Sequence, residues 1–214
     1  LATTMEVPCT INKELAGKLH HAEITLVFEG DEDSVSVSFE DIVRSRDIPK
    51  EFLKSLQSSV ISSAPGGIDL GYPIIKTKVK LKRINYIEGE TTDLGLSMAV
   101  ASCFNKLRFG DEIVTYQPVM EVDITVPTEY SGDVISDINS RRGKINSIES
   151  KEVKDLIKAD IPLKMMFGYT TDLRSKTQGR GNFSMKFKEY QCLSEVERID
   201  LFNSLGIVKD INNN

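Results

Sequence analysis

The strongest constraint on the fold is a repeated change of hydrophobic period between residues 118 and 190. Segments such as VMEVDITVP and NFSMKFKEY have an apolar residue at every second position, which predicts strands. Segments such as EYSGDVISDINSRR and MMFGYTTDLRSKTQ have apolar residues three to four positions apart, which predicts helices ended by Gly143 and Gly179. The resulting order is strand, helix, strand, strand, helix, strand, which is the ferredoxin-like arrangement.

The preceding residues, 20–117, predict a second unit that mixes strands and helices. Strands are indicated at AEITLVF, SVSVSF and IIKTKVKLKR, and helices at EFLKSLQSSVISS and TTDLGLSMAVASCFNKL, the latter capped by Thr91 or Thr92. The expected buried positions are Phe52, Leu56, Val60 and Ile61 on the first helix, Leu94, Met98, Ala101 and Phe104 on the second, and Phe183, Met185 and Phe187 on the last strand of the following unit.

The fold class is therefore predicted as α+β with two domains and a C-terminal helix. The predicted segments are a lead-in from a preceding domain (1–19), a first domain (20–117), a ferredoxin-like domain (118–190), and a C-terminal helix and tail (191–214). Because the sequence does not begin with Met, we expect it to be an excised piece of a longer chain.

Several function classes lack support in the sequence. There is no GxxxxGK[ST] phosphate loop and no G-x-S-x-G nucleophile motif, so we expect no catalytic site in this fragment. The two histidines are adjacent and the three cysteines far apart, which argues against a metal site and a disulfide framework and favours a reducing cytoplasm. No apolar run approaches the roughly 20 residues of a membrane span, so no membrane partner is expected.

A row of lysines in IIKTKVKLKR is the most unusual charged feature of an otherwise acidic chain. The net charge is −5, yet residues 71–117 carry seven basic and five acidic residues. Period two places these cations on one face of a strand; they are Lys76, Lys78, Lys80 and Lys82, followed by Arg83. They could face RNA phosphates, or they could form a solvated face or a guarded sheet edge.

Two further basic segments, NSRRGKI (139–145) and RSKTQGRG (174–181), end predicted helices. Basic residues are favoured at helix C-termini in any case, so each segment alone is weak. Three basic segments in one chain make a better case for a phosphate backbone. The candidate contacts are Arg141, Arg142, Arg174, Lys176, Gln178 and Arg180.

MFGYTTDLRSKTQGRGNFSMKFKEY (166–190) resembles the last domain of elongation factor G, the ribosomal translocation GTPase, and residues 119–145 resemble the start of that domain. IPKEF and GYPIIKTKVKL resemble the preceding domain. The resemblance implies an elongated, ribosomal-protein-S5-like arm followed by a ferredoxin-like domain. It also implies GTP and magnesium in a missing GTPase domain, and a ribosome partner that includes 16S and 23S ribosomal RNA and ribosomal proteins.

The two tip loops of the arm depart from the family pattern. The Gly-Gln-Tyr-Gly-His motif keeps Gly17 and His21 only, and Ile87 replaces the histidine of the second loop. Histidine can bond to RNA or stack on it, whereas isoleucine can only pack. The resemblance assigns to these loops Gly17, Lys18, His20, His21, Asn85, Tyr86, Ile87 and Glu88.

The altered tip favours a paralogue that recycles ribosomes with ribosome recycling factor. The alternative is a conventional translocase that moves tRNA and mRNA. A ribosome-protection protein, or an unrelated ferredoxin-like module of an enzyme or a protein-binding domain, are further alternatives.

Overall fold

The computed structural model describes residues 3–43, 48–67, 72–107 and 113–205. The chain divides into two compact units, Leu1–Val114 and Thr115–Asn214. Both units combine a four-stranded sheet with helices, so the predicted α+β class with two domains is confirmed. The predicted ends near Gly110 and Gly206, and the KDINNN tail, lie outside the described residues.

The first unit is built on a sheet with the order β1-β2-β4-β3. Its strands are β1 (Met5–Leu15), β2 (Lys18–Gly30), β3 (Val37–Asp41) and β4 (Thr77–Asn85). Strand β3 is parallel to β4, and the helix α1 (Lys50–Ser63) connects them, whereas the other pairs are antiparallel. The second helix, α2 (Asp93–Lys106), packs on β1 and β2 and covers the apolar face of the sheet.

Strand β1 corrects the predicted first domain boundary. Residues 1–19 were expected to belong to a preceding domain, but Met5–Leu15 pairs along its whole length with β2. Val7 and Cys9 on this strand are buried in the same apolar core as β2 and α2. The strand was missed because Pro8 and the polar residues that follow interrupt the apolar alternation.

Helix α2 has the predicted N-cap but a different buried face. The Thr92 side chain accepts a hydrogen bond from the Gly95 amide, as expected for a cap. Of the predicted inward residues, Phe104 is buried, whereas Leu94 is 47% exposed. The residues of α2 that are buried are Gly95, Leu96, Ala99, Val100, Cys103 and Phe104. On α1, Leu56 and Val60 are buried as predicted, whereas Ile61 is exposed.

The second unit has the predicted ferredoxin-like order. Its sheet has the order β6-β7-β5-β8 and is antiparallel throughout, with β5 (Tyr116–Pro127), β6 (Lys144–Lys151), β7 (Lys154–Pro162) and β8 (Asn182–Cys192). The helices α3 (Ser131–Ser140) and α4 (Tyr169–Lys176) enclose the core, and α5 (Glu195–Ser204) follows β8. On β8, Phe183 packs on the core, but Met185 and Phe187 are exposed.

Helix α3 ends one residue earlier than Gly143 suggests. The residue in the left-handed region is Arg142, with φ 58°, and the Gly143 amide donates to the Ile138 carbonyl at 2.9 Å. Glycine is required at 143 for a different reason. A Cβ there would lie 2.7 Å from Cγ2 of Ile138 and 3.0 Å from Cγ1 of Ile161. The glycine therefore permits a close approach of the chain to the core.

Candidate nucleic-acid interface

The lysines of β4 lie opposite glutamates of the same sheet. Nζ of Lys80 is 2.6 Å from Oε2 of Glu29, and Nζ of Lys82 is 2.5 Å from Oε2 of Glu6. The hydrogen bond to Glu29 raises the pKa of Lys80 above its ordinary value. Arg83 pairs with a glutamate of β2 in the same way. We call this set of paired side chains the charge ladder: Lys80, Lys82, Arg83, Glu6, Glu23 and Glu29.

A bulge explains why two consecutive cations share the outer face of β4. Thr25 lies opposite Arg83 and Leu26 lies opposite Leu81, so Lys82 has no opposite residue on β2. The extra residue resets the alternation of the strand. Lys82 and Arg83 are consequently both exposed, while Leu81 before them is buried.

The charge ladder limits what the lysine row offers to RNA. Strand β4 lies between β2 and β3, so its lysines do not guard a sheet edge. A phosphate would have to compete with a glutamate at Lys80 and at Lys82. Exposed pairs contribute only about 0–1 kcal/mol, so such an exchange is feasible. Phosphate contact by this row stays a prediction.

The first tip loop is a tight hairpin turn. Strands β1 and β2 are joined by Ala16 and Gly17 alone, with φ of 52° and 73°. Two consecutive positive φ values are the geometry of a two-residue hairpin turn that follows the strand twist. Lys18 is exposed beside the turn. The predicted tip residues Gly17 and Lys18 therefore end a narrow two-stranded projection.

The second tip loop, 86–92, is a closed turn with an acidic surface. The carbonyl of Ile87 accepts hydrogen bonds from the amides of Glu90 and Thr91, and its amide donates to the Thr91 hydroxyl. The residues exposed at the crest are Glu88, Gly89 and Glu90. At the base, the Tyr86 ring lies 5.3 Å from a phenylalanine ring of α1, and Ile87 is half-buried.

Both histidines tie the two tip loops together. Nδ1 of His20, a buried side chain, lies 2.8 Å from Oγ1 of Thr92, the cap of α2. The backbone amide of His21 donates to the Glu90 carbonyl at 3.0 Å. Asn85 bonds to Glu23 at 3.1 Å. The predicted polar tip residues His20, His21 and Asn85 thus hold the loops in place.

In the second unit, Arg141 lies inside the helical layer. Its guanidinium donates to Asp137 at 2.8 Å, to the Met165 carbonyl at 2.5 Å and to Asp172, and stacks over the Tyr169 ring. The side chain is only 13% exposed. Arg141 is thus placed as an internal structural residue, and its predicted phosphate contact has no support from this position.

The remaining basic candidates fall at two separate ends of this layer. Arg142 is 57% exposed and pairs with Glu197 of α5 at 2.9 Å. Arg174, Lys176, Gln178 and Arg180 cluster instead around the end of α4, and we call these four residues the α4 basic end. Sequence analysis grouped Arg142 with this cluster, but the structure does not bring them together.

The α4 basic end has a rigid backbone beneath exposed side chains. The buried Thr177 hydroxyl donates to the Leu173 carbonyl at 2.7 Å and accepts from the Gly181 amide at 2.8 Å. Arg180 bonds to Glu129 and stacks over the Tyr130 ring, while half of its side chain stays exposed. Arg174 is exposed and has no ion pair among the described residues.

Sequence analysis missed the glutamates that neutralise the lysine row. Glu23 and Glu29 stand at positions of β2 that alternate with buried residues, so the outward position of both could have been read. Their pairing with β4 required the register, which the sequence does not contain. Within the described ranges, no three potential metal ligands cluster, and none of the helices is long and apolar enough to cross a bilayer.

Comparison with known proteins agrees with this architecture. Residues 3–108 match the family model described as elongation factor G, domain IV, and residues 114–199 match the one described as elongation factor G C-terminus. The chain belongs to the elongation factor G family. The resemblance stated from the sequence is confirmed, and the domain IV match includes most of the residues 3–19 that were predicted to lie outside it.

Two individual proteins are similar to this member of the elongation factor G family. The chain is 37% identical over 186 residues to "Elongation factor G 2" of Syntrophus aciditrophicus (strain SB), covering 87% of this chain and 28% of the relative. The chain thus spans less than a third of that relative. A crystal structure from Thermus thermophilus matches 95% of this chain and 30% of its own, with a TM-score of 0.84 at 22% identity, which shows a shared fold.

Proposed function

We propose that this chain is the ribosome-binding C-terminal part of a translational GTPase, in a paralogue specialised for ribosome recycling. The parent protein would bind GTP with magnesium through a preceding domain and act in the cytoplasm. It would split ribosomes into subunits together with ribosome recycling factor. Membership of the elongation factor G family supports the ribosome as partner.

The geometry of the tip is the observation that carries the recycling role. One loop is reduced to the Ala16–Gly17 turn, and the other exposes Glu88 and Glu90. Carboxylates at this position repel the phosphates of tRNA and mRNA. Its histidines are occupied in holding the loops. A tip of this kind can act as a rigid wedge but offers few groups that recognise a tRNA–mRNA duplex.

The α4 basic end is the best-supported RNA contact in the chain. Its side chains are exposed around a fixed backbone, and Arg174 lacks a competing carboxylate among the residues that are described. The cations of the charge ladder, in contrast, are already paired. We therefore propose that phosphates of ribosomal RNA bind first to the second unit.

The test of recycling uses the full-length parent protein with GTP and purified ribosomes. One assay measures a one-codon movement of mRNA, and the other measures splitting of post-termination ribosomes with ribosome recycling factor. We expect splitting without mRNA movement. Normal mRNA movement would contradict the proposal and favour a translocase with a tolerant tip. The variant Ile87→His tests the tip directly, since a gain of mRNA movement would tie the missing histidine to lost translocation.

The double variant Arg174→Gln/Arg180→Gln is expected to weaken ribosome binding of the parent protein. Each phosphate contact contributes roughly 0.7–0.9 to the slope of log affinity against log salt, so the slope should fall by about 1.5. The measurement is ribosome affinity across a salt series. The matched control is Lys80→Gln/Lys82→Gln, which removes the same charge from the charge ladder and should change the slope less. A larger effect of the control would place the contact on the lysine row instead.

A further inference from the structure

Phe167 is the most exposed large apolar residue of the described chain. Its side chain is 80% exposed, although Met166 before it and Tyr169 after it are buried. Gly168 between them has φ 77°, a left-handed value that turns the chain back into the unit. The ring is therefore held outward between two buried neighbours.

The backbone around Phe167 is fixed by hydrogen bonds. The Gly168 carbonyl accepts from the Thr171 amide at 3.0 Å, which begins α4. On the other side, the Met165 carbonyl accepts from Arg141. A residue with slack backbone could fold its ring back onto the surface, but this one is anchored on both sides. A ring fixed in this way loses little conformational freedom on binding.

The surroundings of the ring are cationic. Lys164 is exposed three residues earlier in the same turn. Arg142 is exposed next to Arg141, which itself binds the 165 carbonyl. The pKa of Glu197 is lowered chiefly by hydrogen bonds from Ser194, with Arg142 and Lys164 adding to the effect. An exposed aromatic ring thus stands beside two cations at the end of the layer opposite the α4 basic end.

We infer that Phe167 is a stacking platform for an unpaired base of ribosomal RNA, with Lys164 and Arg142 contacting the adjacent phosphates. An unpaired nucleotide combines a flat π face with a negative charge, which is the complement of this surface. A purely apolar protein partner would leave both cations without a role. The inference rests on the proposed ribosome binding and adds a second RNA contact to the α4 basic end.

The test is a series of substitutions in the full-length parent protein, with affinity for purified ribosomes as the readout. Stacking predicts that Phe167→Ala and Phe167→Leu both weaken binding about tenfold, whereas Phe167→Tyr and Phe167→Trp retain it. Val153→Ala is the matched control, because Val153 is also largely exposed but lies at the far end of the second unit; it should bind like the wild type. Retained binding by the Leu variant would indicate an apolar protein contact and overturn the inference.

A spectroscopic readout separates this inference from the proposed function. The present chain contains no tryptophan, so Phe167→Trp adds a single reporter to it. Its fluorescence, measured against the otherwise identical parent, should be quenched when a base stacks on the ring, and one RNA base should lose protection from chemical probes in Phe167→Ala complexes. Ribosome binding without quenching, and with a fully active Ala variant, would overturn the stacking site and leave the proposed function standing. Absence of ribosome binding by the wild type would overturn both.

Discussion

Replacing Arg141 with Ala is expected to lower the free energy of unfolding of the second unit by about 3 kcal/mol. The guanidinium joins Asp137 of α3, the Met165 carbonyl and Asp172 of α4, and covers the Tyr169 ring. Without it, Asp137, whose side chain is only 10% exposed, loses its closest cation. A largely buried carboxylate without its partner costs more than the ion pair contributed.

The adjacent Arg142 provides the matched control for this prediction. Arg142→Ala removes the same side chain from an exposed position with one ion pair, so a loss below about 1 kcal/mol is expected. Arg141→Lys should remain destabilised, since an ammonium cannot reproduce the planar fork. The measurement is urea unfolding with hydrogen exchange read at α3 and α4. Equal losses for the two Ala variants would show that Arg141 has no special structural role.

Gly143→Ala is expected to destabilise the same unit by about 2 kcal/mol, because the new methyl group overfills the core. Its Cβ would meet the side chains of Ile138 and Ile161 at 3.0 Å or less. Both are fully buried, so neither can move aside without disturbing its neighbours. The shift of the urea midpoint measures the loss.

Gly132→Ala is the control with the opposite sign. This glycine lies in the first turn of α3, and nothing lies within 4 Å of the position of an added Cβ. Alanine favours the helix over glycine, so stability should rise by about 0.5 kcal/mol. If Gly143→Ala also proved neutral or stabilising, the close packing around Gly143 would not be a constraint.

The second unit was predictable because its local signals agree with one another. Each strand alternates cleanly, and glycine or proline punctuates the ends of most elements, as at Pro127 and Pro162. Helix α2 was harder. It is apolar on nearly all sides, so several stripes fit a period of 3.6 and the sequence could not select the buried one. Contact with β1 and β2 made that selection, and exposed Leu94.

The candidate site was predictable as a set of residue types but not as an arrangement. The lysine row was correctly placed on one face of a strand, yet its partner Glu6 comes from a strand more than 70 residues away in the chain. Register and bulges determine such pairs, and neither is encoded locally. Likewise, Arg141 and Arg142 are adjacent in sequence, but one is internal and the other exposed.

The charge ladder also determines how the first unit looks to a partner that is still far away. Strands lie about 5 Å apart, so each row of cations is followed by a row of anions within a distance shorter than the screening length of roughly 8 Å at physiological salt. Potentials from such alternating rows cancel within a few ångströms of the surface. This face is therefore electrostatically silent at long range, and reveals its lysines only to a partner close enough to displace a glutamate.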